Sequence, residues 1–161
     1  MTMLRVRRRS GDASEEVDET NPVPVADRAN YIDGYELIGH WSKSHVPAVG
    51  VAATITQPAP GPGYKNVVRN LTAILAGGTS APTAVNVSVS VINGTTATTD
   101  FLWRATLSCA ATAGVVNGVS PNPLMLVGTD NTATTIEFSA AGGANTFESV
   151  TMSGIIVRNR I

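Results

Sequence analysis

From residue 49 onward, apolar and polar residues alternate in pairs. Val85, Val87, Val89 and Val91 alternate with Asn86, Ser88 and Ser90, and Phe101, Trp103, Ala105, Leu107 and Cys109 alternate with Arg104, Thr106 and Ser108. Ile136 and Phe138 flank Glu137, while Val150, Met152 and then Ile156 alternate with Thr151 and Ser153. Successive side chains of a strand point to opposite faces, so a period of two marks strands with one buried and one wet face. The abundance of Val, Thr and Ile suits the same pleated surface. Turn-forming groups punctuate these runs: Pro58 to Gly63, Gly77-Gly78, Asn93-Gly94, Asn117-Gly118, Pro121-Asn122-Pro123, Gly128 to Asp130 and Gly142-Gly143. The pattern predicts about seven or eight strands, near residues 50–56, 65–76, 84–93, 100–109, 114–119, 124–127, 132–139 and 147–158. No segment carries a helical stripe. The fold class that follows is all-β, an antiparallel β-sandwich or jelly roll. Asn93-Gly94 predicts a two-residue type I′ hairpin turn, with positive φ at both positions.

The chain before residue 49 is composed differently. Residues 1–24 run from a basic patch (LRVRRR) through an acidic one (DASEEVDE) to Asn21-Pro22-Val23-Pro24, with few apolar residues to bury. Such a stretch cannot offset the entropy of its own ordering, and its prolines favour extended backbone. Residues 28–46 hold a dense group of large side chains: Tyr31, Ile32, Tyr35, Leu37, Ile38 and Trp41. Aromatic residues of this kind anchor interfaces, so a neighbouring molecule or the chain's own open core end is expected to cover them. The composition shift near Pro47 divides the chain into a long extended N-terminal arm, 1–46, and a β-sandwich or jelly-roll domain, 47–161.

Charge sharpens this division. Eight of the twelve acidic residues lie before residue 37, and four of the eleven basic ones lie within Arg5 to Arg9. Between Val49 and Val157 the charged side chains are Lys65, Arg69, Asp100, Arg104, Asp130, Glu137 and Glu148 alone. With 14% charged residues the surface must be built largely of Thr, Ser, Asn, Ala and Gly, which costs little to bury and suits an assembly subunit. A net charge of -1 provides no global field for nucleic acid. No apolar run is long enough to span a bilayer, and no apolar segment follows the basic N-terminus as in a secretory signal, so neither a membrane partner nor export is expected. A soluble protein made in a cytoplasm is the simplest expectation.

Candidates for chemistry are sparse. Asp100, Asp130, Glu137 and Glu148 are the carboxylates of the alternating region, and Glu137 and Glu148 are assigned to its polar side. His40 and His45 match no closed zinc spacing. Cys109, the single cysteine, falls at an apolar position and reads as a small buried hydrophobe. The glycine-rich stretches read as turns, and proline within Gly61 to Gly63 removes a donor that a phosphate cradle would use. No catalytic, cofactor-binding or metal residue is assigned, and no enzyme activity is expected. Partner binding is assigned to Arg5, Arg7, Arg8 and Arg9 as ionic contacts and to Tyr31, Tyr35, Leu37 and Trp41 as apolar anchors. The arginines suit an acidic protein surface, a phosphate backbone or plain solvation; nucleic acid is disfavoured because the patch is short and faces an acidic block. Three Asn-x-Ser/Thr matches, at Asn70, Asn86 and Asn93, are ascribed to composition.

Val67-Val68-Arg69-Asn70-Leu71, Val85 to Val89, Phe101 to Leu107, Ile136 to Gly142 and Glu148 to Gly154 together resemble small virion proteins of tailed bacteriophages, over a little more than half of the chain. The resemblance implies a jelly-roll subunit of the virion, assembled in the host cytoplasm. It implies a head decoration (cement) protein that sits on the major capsid protein shell as an oligomer, a homotrimer in that class, and reaches neighbours with extended arms. Tail, collar and fibre modules, binding another virion protein or a host glycan, are the alternative it leaves open.

Overall fold

The computed structural model describes residues 31–32, 35–80, 82–95 and 100–159. They form ten strands: β1 (Tyr31–Ile32), β2 (Tyr35–His45), β3 (Thr54–Gln57), β4 (Tyr64–Gly77), β5 (Val85–Asn93), β6 (Phe101–Cys109), β7 (Val116–Val119), β8 (Leu126–Val127), β9 (Thr134–Phe138) and β10 (Thr146–Asn159). All pairings are antiparallel. One sheet runs β1-β2-β10-β4, with β7 and β8 both on the far edge of β4; the other runs β3-β9-β5-β6.

The pairing is nested. β5 pairs β6, β4 pairs β7 and β8, β3 pairs β9, and β2 pairs β10. The chain is thus one long hairpin, matched from its tip outward and rolled until β10 meets β4 and β9 meets β5. That is the jelly-roll order, in which two four-stranded layers share one core. From β4 and β10 the core takes Val68, Leu71, Ala73, Leu75, Val150 and Met152; from the facing sheet it takes Ile55, Val87, Val89, Val91, Leu107, Cys109, Ile136 and Phe138. Cys109 is buried there, as its apolar position predicts.

All eight strands expected after residue 49 are present. The segment ahead of it is where the structure differs from the expected division. Residues 35–45 are not part of a separate arm: they form an eleven-residue strand paired with β10 from Tyr35↔Asn159 to His45↔Val150, interrupted only by one bulge. The sandwich therefore begins on the near side of the 46/47 boundary. Low apolar alternation hid this strand, because its side chains serve two different clusters.

Three one-residue bulges explain where side-chain faces depart from simple alternation. In β4 the register passes from Asn70↔Ser153 to Val68↔Gly154, leaving Arg69 as the extra residue, so Val68 and Leu71 both reach the core although three apart. In β2 it passes from Gly39↔Ile156 to Leu37↔Val157, leaving Ile38 extra. Trp41 consequently packs on the core between the sheets, while Tyr35 and Leu37 pack on a second cluster of Val67, Ile155 and Val157 on the outer side of the sheet. In β6 the bulge falls at Leu102. Leu102 and Trp103 both contact the core, and Phe101, expected on the face of Trp103, is exposed, with the Arg104 guanidinium 5.1 Å from its ring centre.

Two further expectations are corrected. Glu148 is buried, not on the wet face: its parity is that of Val150 and Met152, which point into the core. Asn93-Gly94 is not a two-residue turn. β5 continues through Asn93, whose amide donates to the Asp100 carbonyl at 3.0 Å, and positive φ is found at Gly94 but not at Asn93. The Asn93 side chain is engaged by Asp100 and Thr129.

Candidate interaction surfaces

The predicted anchors fall into three groups. Arg5, Arg7, Arg8 and Arg9 lie outside the described residues. Tyr31 contributes backbone to β1, paired with Glu36. Tyr35, Leu37 and Trp41 lie on β2, each half-buried against this chain's own sheets. Lys65 Nζ lies 5.9 Å from the centre of the Tyr35 ring, and Arg158 pairs with Glu36 beside it. What these residues offer a partner is thus the remainder of surfaces that already close the sandwich.

Trp41 stands opposite Gly154 on β10. A β-carbon at Gly154 would lie 2.6 Å from Trp41 Cζ2 and 2.0 Å from the Val67 carbonyl oxygen, so glycine is required for the indole to lie across the strand. Beside this crossing is a groove of about 510 Å³, walled by His40 and Trp41 on one side and by Asn122, Pro123 and Leu124 on the other, with Arg69 and Asn70 between. The bulged residue of β4, Arg69, and the β7–β8 connection border it. Their meeting was not legible in the sequence, where Arg69 appeared only as an isolated charge. Trp41 Nε1 is buried without a hydrogen-bond partner among the described residues.

The edge of the second sheet is guarded from the first. The Thr54 amide donates to His45 Nδ1 at 3.1 Å, and Lys43 Nζ donates to the Thr56 carbonyl at 2.7 Å. Two side chains of β2 therefore occupy the outward groups of β3, an edge that would otherwise template strand pairing.

The carboxylates are dispersed in role. Asp100 accepts from Asn93 Nδ2 at 2.7 Å, and Asp130 accepts from the Gly63 amide at 3.2 Å, both as turn fasteners. Glu148 accepts from the Ala53 amide at 2.8 Å, tying the β2–β3 connection to β10. Burial pushes its carboxyl above the usual range; the amides of Ala53 and Gly142 oppose that only in part. Among the described residues no three His, Cys, Asp or Glu side chains gather as metal ligands would, and no helix is long and apolar enough to cross a membrane.

No family model matches the chain, and no curated protein is similar to it in sequence. Among solved structures, a chain described as "nora virus structure" is similar at a TM-score of 0.32 with 12% identity. The match covers 81% of this chain and 62% of that one, so this chain spans less than two thirds of its length.

Proposed function

We propose that this protein is a virion structural subunit of the head decoration type, which binds the outer surface of a capsid shell as an oligomer, a homotrimer in the simplest arrangement. The observation that carries this reading is the anchoring of β2. Ten pairs with β10, on either side of the Ile38 bulge, tie residues 35–45 to the sheet, so the segment that follows the leader, with its basic and acidic blocks, is fixed to the sandwich. Several copies of the leader on one oligomer raise each other's effective concentration, and modest ionic contacts from Arg5, Arg7, Arg8 and Arg9 then add to tight binding.

The test is removal of residues 1–30, which leaves all of β2. The shortened protein is expected to fold and oligomerise like the full chain but to lose binding to isolated shells; undiminished shell binding would refute the arm mechanism. Copy number per particle separates location: on the order of hundreds fits a shell protein, while about three to eighteen fits a tail or collar part. The groove beside Trp41, with Arg69, Asn70 and Asn122 in reach of hydroxyl groups, favours a second reading as a glycan-gripping fibre module, and binding of the full chain to a glycan array would support it.

A further inference from the structure

The basic side chains of the described strands are engaged, with one exception. Lys43 Nζ donates to the Thr56 carbonyl, Lys65 lies over the Tyr35 ring, Arg104 lies over the Phe101 ring, and Arg158 pairs with Glu36. Arg69, the extra residue of the β4 bulge, is exposed and pairs with no carboxylate of the described residues. It borders the groove beside Trp41, whose lining holds neither Asp nor Glu. His40 and Asn70 add N–H donors there, and Trp41, Leu124 and Ile155 add apolar wall. Donors without a carboxylate among them, set against an apolar wall, suit an acidic segment that also carries an apolar side chain.

The chain contains such a segment. Residues 12–19, outside the described residues, read DASEEVDE: five carboxylates within eight residues, no basic residue, and Val17 among them. Eleven residues separate Glu19 from Tyr31, and at full extension that connection spans about 40 Å. Its direction is set by β1. Tyr31 stands opposite Glu36 and Ile32 opposite Tyr35, so the chain enters Tyr31 from the side on which His40 and Trp41 lie. From Glu36 to Trp41 is about 17 Å along β2, and from β1 to β10 about 10 Å across the sheet. Both are well within reach. A tether of this length holds the segment near the groove at an effective concentration on the order of millimolar, against which any free acidic ligand must compete.

We infer that the acidic segment 12–19 docks in the groove beside Trp41 of its own chain, with Arg69 as its ionic partner and Val17 against the apolar wall. The nearest rival partners are Arg5, Arg7, Arg8 and Arg9 of the same leader. They offer charge alone, whereas the groove offers charge and an apolar surface together. Docking draws the acidic block away from those arginines and leaves them unneutralised. That consequence deepens the proposed function and rests on its arm mechanism; the docking itself does not.

Disulfide trapping in the full-length chain tests it. Val17→Cys is combined with Asn70→Cys in the groove or, as control, with Ala140→Cys at an exposed site on the β9–β10 connection. Cys109 is buried and does not compete. Cross-linking under a mild oxidant is normalised to alkylation of the same thiols by iodoacetamide, and circular dichroism verifies folding. The expected result is a cross-link within one chain that forms about tenfold faster at Asn70→Cys than at the control site. Arg69→Glu should bring it down to the control rate, as should about 0.5 M salt, where charges are screened beyond about 4 Å. If Arg69→Glu fails to fold, Arg69→Gln replaces it. Equal rates at the two sites overturn the inference, as do an unchanged rate in the Arg69 variant and a cross-link that joins two chains. Shell binding by wild type is read separately. Trapping as expected without shell binding sinks the decoration reading alone, and shell binding without trapping sinks this inference alone.

Discussion

The indole of Trp41 lies across Gly154, its register partner on β10, at a point where no other residue fits. The pair joins two features that the chain places far apart: an aromatic from the segment ahead of Pro47, and a glycine in the last strand. It fastens β2 to the sandwich and forms one wall of the groove beside Arg69. Gly154→Ala is expected to destabilise the fold by about 3 kcal/mol or more, because the Val67 carbonyl is backbone and cannot move aside. Trp41→Ala, which removes a half-buried ring and opens space over the core, is expected to lose about 2–4 kcal/mol. Urea unfolding of both variants measures this; a Gly154→Ala protein as stable as wild type would contradict the close packing.

Removing the leader and removing β2 have different consequences. A chain beginning at residue 31 keeps every strand of the described residues, and its thermal midpoint is expected to stay within a few degrees of the full chain's. A chain beginning at residue 47 loses the partner of β10, the cover over Val67, Ile155 and Val157, and the guards of β3. It is expected to aggregate or unfold. Circular dichroism melts of the two truncations separate these outcomes.

Glu148 makes stability depend on pH in a defined direction. Burial raises its folded carboxyl above the ordinary value, so the folded state binds the proton more tightly than the unfolded state. Its contribution is therefore fully present below the ordinary carboxylate range and is lost as pH rises through the raised value. Wild type should gain stability relative to Glu148→Gln as pH falls from 7 toward 4.5, since the other carboxylates are common to both proteins. At neutral pH Glu148→Gln, which keeps an acceptor for Ala53, is expected to match or exceed wild type. Glu148→Leu strands that buried amide and should cost about 1–3 kcal/mol. Equal losses in the two variants at pH 7 would show that the charge, rather than the acceptor, is what the site requires.

The guards of β3 govern association more than stability. Lys43→Thr with His45→Val removes two hydrogen bonds, each worth about 0.5–1.5 kcal/mol, and bares the Thr54 amide and the Thr56 carbonyl. The expected outcome is a modest loss of stability with a clear rise in light scattering on incubation, because an open edge pairs with other strands. Unchanged scattering would mean that the short length of β3 is protection enough.

The strands after residue 49 could be read from the chain because burial on one face imposes a period of two, and the core needs nothing else from Val87, Val89, Leu107 or Ile136. Glu148 was legible by the same rule, sharing the parity of Val150 and Met152, but its charge argued for the wet face; only the meeting with the Ala53 amide makes its inward position tolerable. The bulges at Ile38, Arg69 and Leu102 lie beyond such reading, since an extra residue in one strand is defined by its partner's register. They decide that Trp41 faces the core while Leu37 faces outward, and that Phe101 is exposed. The rolled pairing of β2 with β10 and β4 with β7 likewise brings Gly50 to Thr146 and Gly78 to Asn145, because only long-range contacts join segments so distant in sequence at one end of the fold.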